Sequence, residues 1–508
     1  MAPVRTPRRL AVGVAAALSL LAMAACSSYE RTGLQGVGTG AGAPTVSGGA
    51  AVGAGAAQPG QTSAGAPSPG RGSSAAVAGP ALPGGTGAAT GGSALPAAGS
   101  VLRTCTVKVG ATYSSDVNAA LAAAGNPSAA TQYSGYVKAL QAEYQAGADH
   151  LNSNGGLGGC KVELAYYDFH SLSSDGFDAE SQRECTSLAQ DQHVALAFIF
   201  GLETKTLIDC MAKYRIPVSY HGGEYTVPND RDYSTYRGYL YQETGIATDR
   251  WAPFMDDLAA AGYFDNGSKV GILLADDGNG NNQHLVNDIW KPRLAALGYP
   301  NPTVFTFTQL KSYAAIGDTQ AQFSSAVLRF KAAGIDHLIA TPDSGNVTLF
   351  FPQQAESQNF HPRYAFTSVN YPELMKNVPA DQAARSMSVS FLNSDAENPG
   401  QMATNPPNAS RAQCDSLFKG KTNGGPAPYL YCDFMDVVAA ALRGARQIDA
   451  PTLLAGIESL GTSIPGAANY GGTRLSPGRY DGGTVVRVME WDPAIKDYRY
   501  VSGVLNVP

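Results

Sequence analysis

The sequence predicts an α/β protein with two doubly wound parallel-sheet lobes, preceded by a signal peptide and a disordered tether. Three observations carry that expectation. After residue 103, short segments with strand alternation take turns with segments of helical period, and that order argues for parallel sheets. The rhythm breaks once, over a polar, tyrosine-rich stretch from His221 to Glu243, and then restarts, which argues for two lobes in series. The first hundred residues, by contrast, have a composition that cannot bury enough apolar surface to fold.

The N-terminus carries an address. Arg5, Arg8 and Arg9 precede an apolar run from Leu10 to Ala22, followed by Met23-Ala24-Ala25-Cys26. A basic start, a short apolar segment and small residues at the cut describe a secretory signal over residues 1–25. The run is shorter than the ~20 residues that span a bilayer. Cys26 directly after the small residues resembles the lipobox of bacterial lipoproteins, in which the thiol is acylated, for instance by palmitate, and becomes the new N-terminus. Met23 stands where leucine is commoner there, and the alternative is a plain signal peptide with an incidental cysteine. Residues 26–102 are dominated by Gly, Ala, Ser, Pro and Thr, and Arg71 is the only charge between Gly33 and Leu102. A random coil of roughly 70 such residues spans ~45 Å. The formal charge of -6 on 508 residues, without any Lys/Arg run, argues against a nucleic-acid partner.

The folded part divides by rhythm into residues 103–235, the first part of lobe I; 236–366, the first part of lobe II; and 367–508, segments completing both. In lobe I a strand at Val107–Ala111 precedes a helix in which Tyr133, Tyr136, Val137, Leu140, Tyr144 and Leu151 share a face. Asn154-Gly155-Gly156 stops that helix, and a strand follows at 161–167. A helix over Asp178–Gln190 leads to Val194–Phe200, apolar throughout as a strand buried on both faces requires. A helix near Thr204–Tyr214 and a strand at Ile216–Tyr220 complete the block. Lobe II reads as a helix at Asp249–Ala261, then strands at Lys269–Ala275, Val304–Phe307, Asp336–Thr341 and near Tyr364–Thr367. Between them come helices through Val286–Leu297, Ala321–Ala333 and one more. The remainder holds a helix at Asp433–Arg446 and paired strands around Val485–Trp491.

Apart from Cys26 the chain has six cysteines, an even count that reads as disulfides in an exported protein, with 15 pairings open. Cys105 and Cys160 each begin a strand of one parallel pair, Cys185 and Cys210 lie on consecutive helices, and Cys414 and Cys432 flank a short Gly/Pro connection. Three local bridges are therefore expected. A metal site is the alternative, and the spacing lacks the Cys-x-x-Cys that would support it. No metal or cofactor is expected.

The segment Leu151–Asp168 has the wording Asn152-x-x-Gly155-Gly156-Leu157-x-Gly159-x-Lys161-Val162-x-Leu164-x-x-x-Asp168. It resembles a segment of ABC-transporter substrate-binding proteins of the branched-chain amino-acid type, and Arg215-Ile216-Pro217 before the fourth strand and the order of elements over 105–500 extend the likeness. The resemblance implies the type I periplasmic-binding-protein fold, with three chain crossings as a hinge and ligand enclosed as the lobes close. It also implies a non-enzymatic role, an ABC importer permease as partner, an extracytoplasmic location with membrane contact only through the Cys26 lipid anchor, and a monomer.

Ligands of parallel sheets lie outside the carboxyl ends of the strands. That rule selects Tyr113 and Ser114, Glu203 and Thr204, His221 and Gly222, Asp276 and Asp277, Asp343 and Ser344, and Asn370 as ligand-binding candidates. Helix N-termini after these loops offer N–H groups to an anion, and Tyr113, Tyr220 and Tyr225 supply rings for stacking. Where the resembled amino-acid binders carry small hydroxyl residues, this chain has Glu203; where they place an acid for the ligand ammonium, it has Ser368, Val369 and Asn370. Glu203, Asp276, Asp277 and Asp343 suggest a cationic or hydroxyl-rich ligand, although Asp after a strand is also an ordinary helix cap. The expected function is capture of a small polar solute, amino-acid-like, amide, cationic or polyol, for delivery to an importer. A ligand sensor on the same scaffold is the alternative. A hydrolase reading rests on His221-Gly222-Gly223, which resembles an oxyanion-hole loop, but the chain has no Gly-x-Ser-x-Gly elbow. Asp277, Asn279, Asn281 and Asp288 have partial calcium-loop spacing, with Asn282 in place of the needed glycine.

Overall fold

The computed structural model describes residues 105–132, 135–221, 227–392, 409–418 and 427–508. The expected signal peptide, Cys26, the expected tether, Gly222 and the rings of Tyr133 and Tyr225 lie outside the described residues. The first sheet has the order β2-β1-β3-β4-β5, all parallel: β1 Thr106–Tyr113, β2 Lys161–Asp168, β3 Leu196–Ile199, β4 Val218–Tyr220 and β5 Leu240–Tyr241. The second holds β6 Val270–Asp276, β7 Thr303–Thr308, β8 His337–Ala340, β9 Arg363–Thr367 and β10 Ser386–Ser390 in the parallel order β7-β6-β8-β9-β10. The same winding thus occurs twice. After a β11–β12 hairpin (Gly461–Ile464, Thr473–Leu475), β13 Val485–Asp492 pairs antiparallel with β10, and β14 Asp497–Tyr500 and β15 Leu505–Asn506 pair with β13. This is the two-lobed doubly wound fold expected from the sequence.

Local chemistry explains the joins. The helix Tyr136–Ser153 stops at Asn154 because Gly155 and Gly156 take φ of 99° and 66°. Asn152 then clamps the next strand: its Nδ2 donates to the Val162 carbonyl at 2.9 Å and its Oδ1 accepts from the Val162 N–H at 2.7 Å. On the other side of β1, β3 is buried at every position, as its apolar run requires. Phe198 at its centre meets the rings of Tyr144 at 5.7 Å and Tyr431 at 5.2 Å. Disulfides join Cys105 to Cys160, Cys185 to Cys210 and Cys414 to Cys432, with Cα separations of 4.8, 6.1 and 6.2 Å.

Several elements differ from the sequence reading. The stretch 221–243 contains a helix, Asp230–Thr235, and β5; Asn229 and Asp232 form a reciprocal cap that starts the helix without any apolar period. β5 lies beyond the division at 235/236 yet pairs with the first sheet. The helix expected at Asp433–Arg446 runs instead over Ala427–Ala441, since Pro428 is tolerated in a first turn. With its neighbour Ala450–Leu460 it returns to the first lobe, against the helix Tyr136–Ser153 and residues 237–238. Two short Ala-rich helices after β1, Val117–Ala123 and Pro127–Gln132, carry no legible period.

The chain passes between the sheets after β5, after β10 and before β13, and the passages are laced together. The Gln242 N–H donates to the Tyr480 carbonyl, and the Gly482 and Gly483 N–H groups donate to Gln242 and Gly245, each at 2.8 Å. Asp481 Oδ2 accepts from the Ala247 N–H at 2.8 Å, and Leu392 bridges to Asn469.

Candidate ligand-binding cleft

The two strand orders place topological switch points between β1 and β3 in the first sheet and between β6 and β8 in the second. Crevices for ligands open outside the carboxyl ends of strands at such points. At the first, Thr112 near the end of β1 donates its hydroxyl to Glu184 Oε1 from the helix Gly176–Thr186. Glu203, on the loop after β3, is fully buried, and neither of its carboxylate oxygens has a hydrogen-bond partner from another residue. Glu184 Oε2 and the Tyr144 hydroxyl are buried and unpartnered as well. Burial pushes the Glu203 carboxyl up to about 8. Burial, and then the charge of Glu203, push Glu184 well above the usual carboxylate range. Among the described residues no lysine, arginine or histidine pairs with either.

The neighbouring candidates use their polar atoms on the chain itself. Thr204 caps the helix Lys205–Lys213: its hydroxyl accepts from the Thr206 N–H at 3.3 Å and donates to Asp178 at 2.6 Å. Ser114 donates to Asp116 at 2.9 Å, and Asp116 in turn accepts from the Ser171 and Leu172 N–H groups. Tyr113 lies edge-on to Tyr166 at 6.1 Å.

At the second switch point, Asp277 accepts from the backbone of Asn279, Gly280 and Asn282, while Asp276 accepts from Gly278 N–H and from Gln283. These are turn and cap bonds, and they account for the partial calcium-loop spacing. Asn370 ties two loops together, donating to the Thr341 carbonyl at 2.8 Å and to Asp343 Oδ1 at 3.0 Å. Burial pushes the Asp343 carboxyl up to about 7, against its bonds from Val347 and Asn370. Ser344 follows with φ of 57°.

His221, at the end of β4, meets a carboxylate the sequence reading did not single out. Its Nε2 lies 2.6 Å from Glu243 Oε2 and 2.9 Å from the Ser219 hydroxyl, which itself donates to Glu243 at 2.7 Å. All three are buried. Because the hydroxyl is bonded to the carboxylate as well as the imidazole, this is a closed polar knot at the first crossing, without the linear order of a nucleophile and its base. Beside it a cavity of about 40 Å³ is lined by His221, Tyr220 and Thr244 of the first lobe and first crossing, and by Ser368, Tyr371 and Leu392 from the other side. A space of this size holds about two or three waters.

The lobes also touch directly. The Phe177 N–H donates to the Lys311 carbonyl at 2.7 Å, the Tyr313 N–H to Ser171 at 3.1 Å, and Ser312 Oγ to Ser173 at 2.7 Å. Asn229 and Asn281 are bonded at 3.0 Å, and Asn281 donates to Asp232 at 2.6 Å. The missed residue Glu184 carried a signal: Phe177, Glu180, Ser181, Glu184, Cys185 and Leu188 share one helical face, so both glutamates point inward with the apolar residues.

A family model described as Periplasmic binding protein matches residues 130–494. The chain belongs to the periplasmic binding protein family. No curated protein matches it by sequence. Among solved structures it is similar to the branched-chain amino-acid transporter substrate-binding protein LivJ from Streptococcus pneumoniae, in complex with isoleucine. That match has 15% identity, covers 79% of this chain and 100% of that one, and has a TM-score of 0.52. A branched-chain amino-acid ABC transporter protein from Thermus thermophilus with bound valine matches at 13% identity, over 80% and 97% of the two chains, with a TM-score of 0.55. A solute-binding protein of an ABC transporter from Rhodopseudomonas palustris, in complex with 3,4-dihydroxybenzoic acid, matches at 14% identity over 79% and 97%, with a TM-score of 0.54. Family and neighbours are solute-binding proteins rather than enzymes. Among the described residues no helix is long and apolar enough to cross a membrane, and no cluster of metal-ligating side chains occurs.

Proposed function

We propose that this protein is an extracytoplasmic solute-binding lipoprotein, held to the membrane through Cys26, that captures a small polar solute by lobe closure and delivers it to an ABC importer. The observation that supports this most is the pairing of two switch-point crevices with a laced set of crossings that joins their lobes. Bonds such as Phe177–Lys311 belong to a closed arrangement, and the 40 Å³ cavity beside His221 admits no amino-acid-sized solute, so the solute enters when the lobes part. The ligands named for the neighbours, isoleucine, valine and 3,4-dihydroxybenzoic acid, are small and polar-headed, which supports a small polar solute here, and Glu203 and Asp343 at the two switch points favour one of different charge.

A thermal-shift screen of the full chain against amino acids, amides, polyamines and sugars tests the reading. A ligand at 100 times its Kd stabilises by about 2.7 kcal/mol if it binds only the folded state, and small-angle scattering should register compaction with the same ligand. No stabilisation by any member would count against capture of a small polar solute. Loss of fatty-acid labelling in Cys26→Ser tests the anchor.

A further inference from the structure

We propose that the solute carries a net positive nitrogen group, an ammonium, amidinium or guanidinium, seated on Glu203 and Glu184 at the switch point of the first sheet. This rests on the solute-binding reading and names the charge class of the solute. Three buried carboxylate oxygens, both of Glu203 and Oε2 of Glu184, have no donor from another residue, and the Tyr144 hydroxyl, which feels the Glu203 charge, is unpartnered too. A buried carboxylate without a donor or a counter-ion is costly, and folds keep one when something else supplies the missing partner. Burial favours the protonated form of both carboxyls, and a proton fills one open place on each. A cation with several N–H donors would satisfy more of the open acceptors than one proton can.

Three features select a cation over an anion at this place. Three of the N–H groups that could have received a ligand carboxylate at the start of helix Lys205–Lys213 are taken: the Thr204 N–H donates to Ser181 Oγ at 2.9 Å, the Thr206 N–H to Thr204 Oγ1 at 3.3 Å and the Leu207 N–H to the Thr204 carbonyl at 3.0 Å. Arg183, the residue before Glu184, is engaged by Glu180 and Asp175. Asp343 at the other switch point has its bonds from Asn370 and Val347 and lacks the open acceptors that mark Glu203. Gly201 gives the Glu203 carboxylate its resting place, since a Cβ there would lie 2.8 Å from Oε1. Side-chain rotation away from Gly201 presents the carboxylate to the solute.

The test is calorimetric titration of the full chain with putrescine, spermidine and L-arginine, alongside L-isoleucine, L-glutamine and 3,4-dihydroxybenzoate. At least one of the three cations is expected to bind at least tenfold tighter than every neutral or anionic probe. Glu203→Gln should lower that affinity at least tenfold, and Glu184→Gln, as a second variant, should lower it in the same direction. Cation binding that survives both substitutions overturns the assignment. So does binding confined to neutral or anionic probes, which would leave the solute-binding reading standing. Failure of every probe, of any charge, removes both.

Discussion

Glu203 occupies a position where water does not reach its charge, and the consequence is a pH dependence that can be signed. Its folded-state value of about 8 lies above the ordinary carboxylate range because of burial, as do Asp343 at about 7 and Asp481 at about 6. Between the ordinary value and the raised one, the folded chain holds a proton that the unfolded chain has released. Stability from such groups is therefore present at low pH and lost as pH rises through about 5 to 8. Glu184, on a neighbouring helix, and Tyr144, on another, feel the Glu203 charge, and neither supplies a positive charge to oppose this. Gln mimics the protonated carboxyl, so Glu203→Gln should match wild type near pH 5 and exceed it near pH 8, by on the order of 3 kcal/mol, or a few degrees in Tm. Melting curves across that range check it. Parallel curves would mean that Glu203 is not titrating in the folded chain.

At the scale of elements, legibility followed periodicity. β1, β2 and the helix Tyr136–Ser153 are plain because apolar residues recur at two or at three-and-four spacing, and β3 because its run is apolar throughout. The helix Asp230–Thr235 was not, because a cap made by Asn229 and Asp232 starts it. The crossings were illegible for a further reason: their partners are hundreds of residues apart, as Ala247 with Asp481, and no local pattern records such a pairing. The candidate loops were found from strand order alone, yet Glu184, Glu243 and Ser219 were missed because inward-pointing polar residues look like surface ones until a partner is placed beside them. Within the crossings Gly482 is a strict requirement: a Cβ there would sit 2.0 Å from the Glu243 carbonyl oxygen. Gly482→Ala should push the first and third passages apart, break the bond from the Gly482 N–H to the Gln242 carbonyl, and cost about 2–4 kcal/mol. Chemical denaturation of the variant measures that loss; a change below about 0.5 kcal/mol, the range of ordinary surface substitutions, would show that the crossings yield without penalty.

For the whole molecule, the decisive balance is between lobes together and lobes apart, and one apolar contact bears on it without touching the proposed ligand seat. Phe169 follows β2, Phe177 lies in the first turn of the helix Gly176–Thr186, and the segment after β1 carries Ala120, Leu121 and Ala124; all of these belong to the first lobe by chain order but bury themselves in the cluster of Phe307, Tyr313, Phe323 and Phe351 in the second. Gly176, with φ of 85°, brings the backbone within reach of the Lys311 carbonyl, and Phe177 then sets its ring 6.2 Å from Tyr313 and 5.8 Å from Phe169. A buried Phe→Ala change costs about 3–5 kcal/mol in a fixed core. Part of the Phe177 packing is with Phe169 of its own lobe and survives opening, so about 1–2 kcal/mol of that cost falls on the closed form alone. Phe177→Ala should therefore shift the ligand-free protein toward the open arrangement by about five- to thirtyfold and weaken solute binding by up to the same factor. Small-angle scattering should show a larger radius of gyration for the free variant and an unchanged one for the saturated complex. If the free variant instead scatters as wild type does while its affinity falls, the loss lies in the binding seat, and the apolar contact between the lobes is not what holds them closed.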